Sequence, residues 1–234
     1  MKRLFALSLL SLFLLPSCDT LQQIVDTASD TPLTTAEVAR GLKQALEIGV
    51  SDGADKLSSL DGYFESPYKI LLPEETQKVV DRLKVVPGFG DLEEKLTLRL
   101  NRAAEDAAKK AKPIFVDAIT SMTFDDAMDI LLGSNDAATN YLQRKTMNAL
   151  VAEFQPVILN SLEEVYAQQL WSEASTAYNK IPFVNKVDTQ LDRHVTDKAL
   201  VGMFGMVEQK EQAIRTDVSE RTNDLLRKVF AKQD

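Results

Sequence analysis

Beyond its first thirty residues the chain carries apolar positions at three- and four-residue steps, the period of one face of an α-helix. Val38, Leu42, Leu46, Gly49, Gly53 and Leu57 form the first such stripe, opened by the Thr34–Glu37 spacing of a capping box. The glycines on it lower helix propensity, so the stripe predicts a second helix that approaches closely. Asp61-Gly62 predicts a turn. The stretch YFESPYKILLP then predicts extended chain over 63–73, because Pro67 and Pro73 push the preceding residues out of the α region. Alternating Tyr68, Ile70 and Leu72 fit a strand-like segment lying over a helix face.

A short helix is expected over 74–86, closed by Pro87-Gly88-Phe89-Gly90. Asp91 and Glu94 open a long helix expected to reach Lys112, with Leu92, Leu96, Leu100, Ala104 and Ala107 on its apolar face. Pro113 is expected to kink or end it, and a segment over 114–122 follows. Thr123 caps a helix over 124–132, with Asp126 at its third position and Gly133 past its end. The next helix begins at Asn135 or Asp136, is expected to be interrupted at Pro156, and resumes to Lys180 before the Ile181-Pro182-Phe183 break. Residues 189–232 read as two or three helices. No solenoid period occurs. The pattern predicts an all-α domain over 34–234, a single irregular multi-helix bundle with a short extended segment near 63–73.

The opening residues follow different rules. Lys2 and Arg3 precede an apolar run from Leu4 to Leu15, too short to span a bilayer and of the length of a secretory signal. It ends on Leu15-Pro16-Ser17-Cys18, which resembles a bacterial lipobox, with Pro16 as the departure. Cys18 is the only cysteine, so no intrachain disulfide is available. The expectation is a signal peptide over 1–17, a lipid anchor on Cys18 and a tether over 18–33. Two acyl chains suffice for stable attachment to a membrane, so the chain is expected in a bacterial cell envelope, facing the periplasm, on either membrane.

Charge narrows the partners. Lys and Arg number 27 against 35 Asp and Glu, a net charge of −8. Nucleic acids are bound by cations that neutralise phosphates, so this balance argues against them, and against electrostatic adhesion to anionic lipid. The lipid itself is left as the membrane contact.

Chemistry-bearing motifs are sparse, and no cofactor motif occurs. His194 is the lone histidine; with Asp192 or Asp197 it fits a general base, but no nucleophile stands at a recognisable spacing, and a surface or capping histidine fits as well. Asp125, Asp126, Asp129 and Asp136 lack the alternating ligands and glycine of a calcium loop, and first-turn acids explain most of them. GFG at 88–90 and GMFG at 202–205 are too short for phosphate loops. More informative are polar residues inside apolar faces. Asn101 and Glu105 are one turn apart, as are Glu211 and Arg215, while Thr139 lies between Ala138 and Tyr141. A buried Glu105 or Asp126 would need a cation, and Arg102 or Arg215 can supply it. Such groups serve either as a polar network locking the helices or as the lining of a site.

The stretches LNRAAEDAAKKAKPIF, AITSMTFDDAMDILLGSNDAATNYL, VTDKALVGMFGMVEQKEQAIR and LLRKVF together resemble the bacterial secreted family named domain of unknown function 4197. The resemblance is densest at Asn101 to Glu105, Asp126-Ala127, Thr139 and Tyr141, Asp197-Lys198, and Glu211 with Arg215. The family pattern carries a proline after Arg215, where this chain has Thr216-Asp217-Val218. The resemblance implies an α-helical envelope protein and no catalytic residue. Asn101, Arg102, Glu105, Asp126, Thr139, Tyr141, Asp197, Lys198, Glu211 and Arg215 are therefore the candidate polar or binding positions. The leading expectation is a non-enzymatic domain that binds a partner or ligand. An enzyme using Glu105 and Asp126, with Arg215 binding an anion, and a carrier with a cavity between the glycine-bearing helices remain beside it.

Overall fold

Thr34 opens the first helix as its spacing predicts. Its hydroxyl accepts from the Glu37 amide at 3.2 Å, and the Glu37 carboxylate accepts from the Thr34 amide at 2.8 Å. The computed structural model describes residues 34–187 and 190–231, so the signal over 1–17, the tether over 18–33 and Cys18 lie outside the described residues. Among the described residues the elements are α1 (Thr35–Leu57), α2 (Glu74–Leu83), α3 (Leu92–Ala108), α4 (Ala111–Thr120), α5 (Phe124–Leu132), α6 (Ala137–Glu164), α7 (Ala167–Asn179), α8 (Leu191–Thr216), a 3₁₀ turn (Val218–Glu220) and α9 (Asp224–Phe230). They contain no β-strand, and the fold is an all-α bundle.

The bundle is organised around α8, which packs on α1, α3 and α6. Val195, Ala199, Met203, Phe204 and Val207 supply its buried face. Phe204 meets Phe115 of α4 edge-on, ring centroids 5.6 Å apart. Gly49 and Gly53 of α1 admit α8 closely: a methyl group at either would stand 3.1 Å from Lys210 or Met206.

Pro113 neither kinks nor ends α3. A proline ring crowds the carbonyl four residues back, here Lys109, which favours a break at that point. The break falls at Lys109-Lys110, and Pro113 becomes the third residue of α4, where its missing amide costs no intrahelical bond. Pro156 does not interrupt the next helix either; α6 is continuous through it. Leu150, Phe154, Ile158 and Leu162 are fully buried on both sides of it, while Pro156 and Ala152 face solvent. Water can therefore hydrate the carbonyl that loses its amide partner. The interruption comes instead at Tyr166, in the left-handed region at φ 57°, whose carbonyl accepts from Arg99 at 2.8 Å.

Between α1 and α2 the extended character is confined to 69–73, after consecutive turns from Ser58 to Tyr68. Ile70 and Leu72 are buried and Lys69 and Leu71 exposed, the alternation expected of chain laid over a helix face.

Candidate functional site

Glu211 of α8 is buried, and each of its oxygens is occupied. Oε1 accepts from the Ala138 amide at 2.9 Å; Oε2 accepts from the Thr139 amide and hydroxyl, each at 2.8 Å. These are the second and third amides of α6, which lack intrahelical partners, so Glu211 caps a helix distant in sequence and places its charge at the positive end of the dipole. Arg215, one turn on, donates to Glu211 Oε1 from Nε and Nη2 at 3.1 and 2.9 Å. It also donates to the Leu131 and Ile130 carbonyls at the end of α5, at 3.3 and 2.8 Å. The pair thus joins the carbonyl end of α5 to the amide end of α6. Beside it, near Gly49, a space of about 20 Å³ has room for about one water.

A second set of bonds anchors the chain between α1 and α2. Asn101 Oδ1 accepts from the Ile70 amide at 2.9 Å, and Nδ2 donates to the Ile70 carbonyl at 2.8 Å and to Thr97 O at 2.7 Å. One side chain thereby pairs both backbone groups of Ile70, as a neighbouring strand would. Glu105 Oε1 accepts from the Tyr63 and Phe64 amides at 3.3 and 3.5 Å, and Oε2 from Arg102 at 2.6 Å. Arg102 also binds Asp61 at 2.7 Å. The Tyr63 hydroxyl donates to Ala199 O of α8 at 2.7 Å, and burial pushes its pKa up. His194 Nε2 lies 2.8 Å from the Leu71 carbonyl, which can only accept, so Nε2 is the donor in this bond.

Asp126 completes the capping box of α5: it accepts from the Thr123 amide at 3.0 Å and hydroxyl at 2.7 Å. The Thr123 hydroxyl bond, then the amide, holds its carboxyl below the usual aspartate range. Tyr141 donates to it at 3.5 Å, and both line a depression of about 270 Å³ with Arg144. Among the described residues no three His, Cys, Asp or Glu side chains converge as metal ligands do, and no helix is long and apolar enough to cross a membrane.

The ten candidate residues therefore do not form one site. Glu211, Arg215 and Thr139 meet; Asn101, Arg102 and Glu105 lie along α3; Asp126 meets Tyr141; Asp197 and Lys198 stand exposed on α8. Sequence reading missed Arg221, only 1% exposed, which donates from Nε to the Ile214 carbonyl and from Nη2 to the Arg215 carbonyl, each at 3.0 Å, at the end of α8. After Arg215 the Asp217 carboxylate accepts from the Ser219 amide at 2.8 Å and shapes the turn.

Sequence reading also missed the surface between α6 and α8. The helices run antiparallel, since Glu211 near the end of α8 meets the start of α6 and Gln155 further along α6 meets Asp192 at the start of α8. Between them lies an open groove of about 720 Å³. Phe204, Val201, Met147 and Val151 contribute apolar surface, and Asp136, Asp197 and Glu208 contribute carboxylates. No lysine or arginine lines it. Tyr68 forms part of its wall, tethered by Gln209 at 2.8 Å and seated where Gly202 and Gly205 leave room for its ring. The signal was present in sequence: Asp197, Val201 and Glu208 share one face of α8.

No curated protein and no solved structure matches the chain. The model of the family described as protein of unknown function, DUF4197, matches residues 32–231, and the chain belongs to that family.

Proposed function

We propose that the protein is a non-enzymatic binding protein, held to a bacterial envelope membrane by lipid on Cys18, and that the α6–α8 groove is its binding surface. The observation that carries the reading is the groove itself: an apolar floor of several side chains, open to solvent, between two helices fixed at both ends. Val201 is 63% exposed at its centre, an apolar side chain placed where a partner would cover it. Glu105 and Glu211, by contrast, spend their oxygens on amides and guanidinium groups of the same chain. Lipidation is supported by the Leu-Pro-Ser-Cys sequence after an apolar run of signal length.

Two measurements on protein extracted from its own envelope test the reading. Mass spectrometry is expected to show loss of residues 1–17 and added acyl chains, and Cys18→Ser is expected to release the protein from the membrane fraction. An unmodified Cys18 refutes the anchor. A photo-cross-linking residue at position 201 is expected to form an adduct that the same probe at exposed Leu60 does not. Absence of that adduct refutes the groove.

A further inference from the structure

Each wall of the groove repeats one pattern. Asp197, Val201, Phe204, Glu208 and Gln212 fall at three- and four-residue steps on α8. Asn140, Gln143, Met147 and Val151 do the same on α6. At 1.5 Å per residue the α8 wall runs about 22 Å, roughly four helical turns. Because the helices are antiparallel, Met147 lies across from Val201, and the apolar stretch is bounded by carboxylates. Asp197 stands at one end, Glu208 and Asp136 toward the other, and Asp197 and Glu208 are about 16 Å apart along the helix, or three turns.

We infer that the groove receives an amphipathic helix of a basic partner protein. Its apolar face covers Met147, Val151 and Val201, and its cations, three turns apart, face Asp197 and the Glu208–Asp136 end. This rests on the groove being the binding surface and names its occupant. Three features select that occupant. The groove is as long as a docked helix rather than a small amine, and helices seat in such grooves through anchors at three- and four-residue steps. Carboxylates at both ends, with no lysine or arginine between, disfavour a lipid phosphate or an acidic segment. The net charge of −8 attracts the same cations at longer range.

The test uses the full chain and two labelled 18-residue helical peptides with one leucine face in common. One carries lysines eleven residues apart, the other glutamates at the same places. Anisotropy titration is expected to show the lysine peptide binding roughly tenfold more tightly at low salt, with the preference shrinking at 0.5 M salt, a condition of about 4 Å screening length. Asp197→Lys, on an exposed position, is expected to lower affinity for the lysine peptide and raise it for the glutamate peptide, with an unchanged melting curve. Equal binding of the two peptides, no binding of either, or a preference unmoved by Asp197→Lys overturns the inference. The adduct at position 201 separates the two levels. A basic helical segment supports the inference; a lipid, a small molecule or an acidic segment overturns it while the groove stands as a binding surface; no adduct takes both down.

Discussion

Replacing Glu211 by alanine is the sharpest perturbation of the fold. The carboxylate accepts three bonds from the start of α6 and two from Arg215. Its loss leaves the Ala138 and Thr139 amides unpaired at a buried helix end and removes the Glu211 carboxylate from the buried Arg215 guanidinium. Breaking a buried ion pair from one side costs about 3–5 kcal/mol, against a total stability of roughly 5–15 kcal/mol. With a urea m-value of about 2–3 kcal/mol/M, the denaturation midpoint is expected to fall by about 1–2.5 M at constant m. Thr139→Ala is the internal control: it deletes one hydroxyl bond, about 1 kcal/mol, and leaves the ion pair whole. Glu211→Gln falls between them, because an amide has one acceptor oxygen and must turn its NH₂ group toward existing donors. If Glu211→Ala lowers the midpoint no more than Thr139→Ala does, the clasp does not hold α5 to α6 and the reasoning fails.

Asn101→Ala strands both backbone groups of buried Ile70 and is expected to cost about 2–4 kcal/mol. It should also speed proteolysis near Lys69, and unchanged cleavage would contradict the anchoring role. Gly202→Ala places a methyl 2.8 Å from the ring of fully buried Tyr63 and is expected to lower stability by about 1–3 kcal/mol. At Gly205 the obstacle is the outer ring of half-buried Tyr68, which can swing away, so alanine there is expected to stay within about 1 kcal/mol while breaking the Gln209 bond; equal urea midpoints for the two variants would refute the distinction. Asp126 has a folded pKa below its unfolded value, so its capping contribution is complete above about pH 4 and is lost as pH falls through the folded pKa. The Thr123 amide resonance is expected to titrate with a midpoint below 3.8, and a midpoint above it would contradict the cap.

What the sequence makes legible here is local. The Thr34–Glu37 and Thr123–Asp126 boxes, the close approach at Gly49 and Gly53, and the alternation at Ile70 and Leu72 all follow from interactions within a few residues or from one helix face. The cation expected for a buried Glu105 is also local: Arg102 lies three residues away. Non-local outcomes are less legible. Nothing near Glu211 in sequence says that it reaches the amides of Ala138 and Thr139, since that depends on how α8 lies against α6. Arg221 sits in a polar stretch that reads as surface, and its bonds to carbonyls at the end of α8 accompany its burial. Pro156 reads as a break because propensity is local, whereas the burial of Phe154 and Ile158 is tertiary.

The same logic explains why the proposed binding surface lies where no motif marks it. Buried polar residues are conspicuous in a sequence because they interrupt apolar faces, and in this chain their bonds fix helix ends and the crossing between α1 and α2. Thr139 shows the connection to the groove directly, since it bonds Glu211 and also lines the α6–α8 surface. The Glu211 clasp holds one end of the two helices together, and the contact between Gln155 and Asp192 marks the other. Tyr68 is placed between them by a loop that Asn101 and Glu105 pin to α3. The interior charges thus set the position of the groove walls. With the walls preset, the helix proposed to dock there would order only itself, which would lower the entropy lost on association and let a modest apolar strip with two charged ends select its partner.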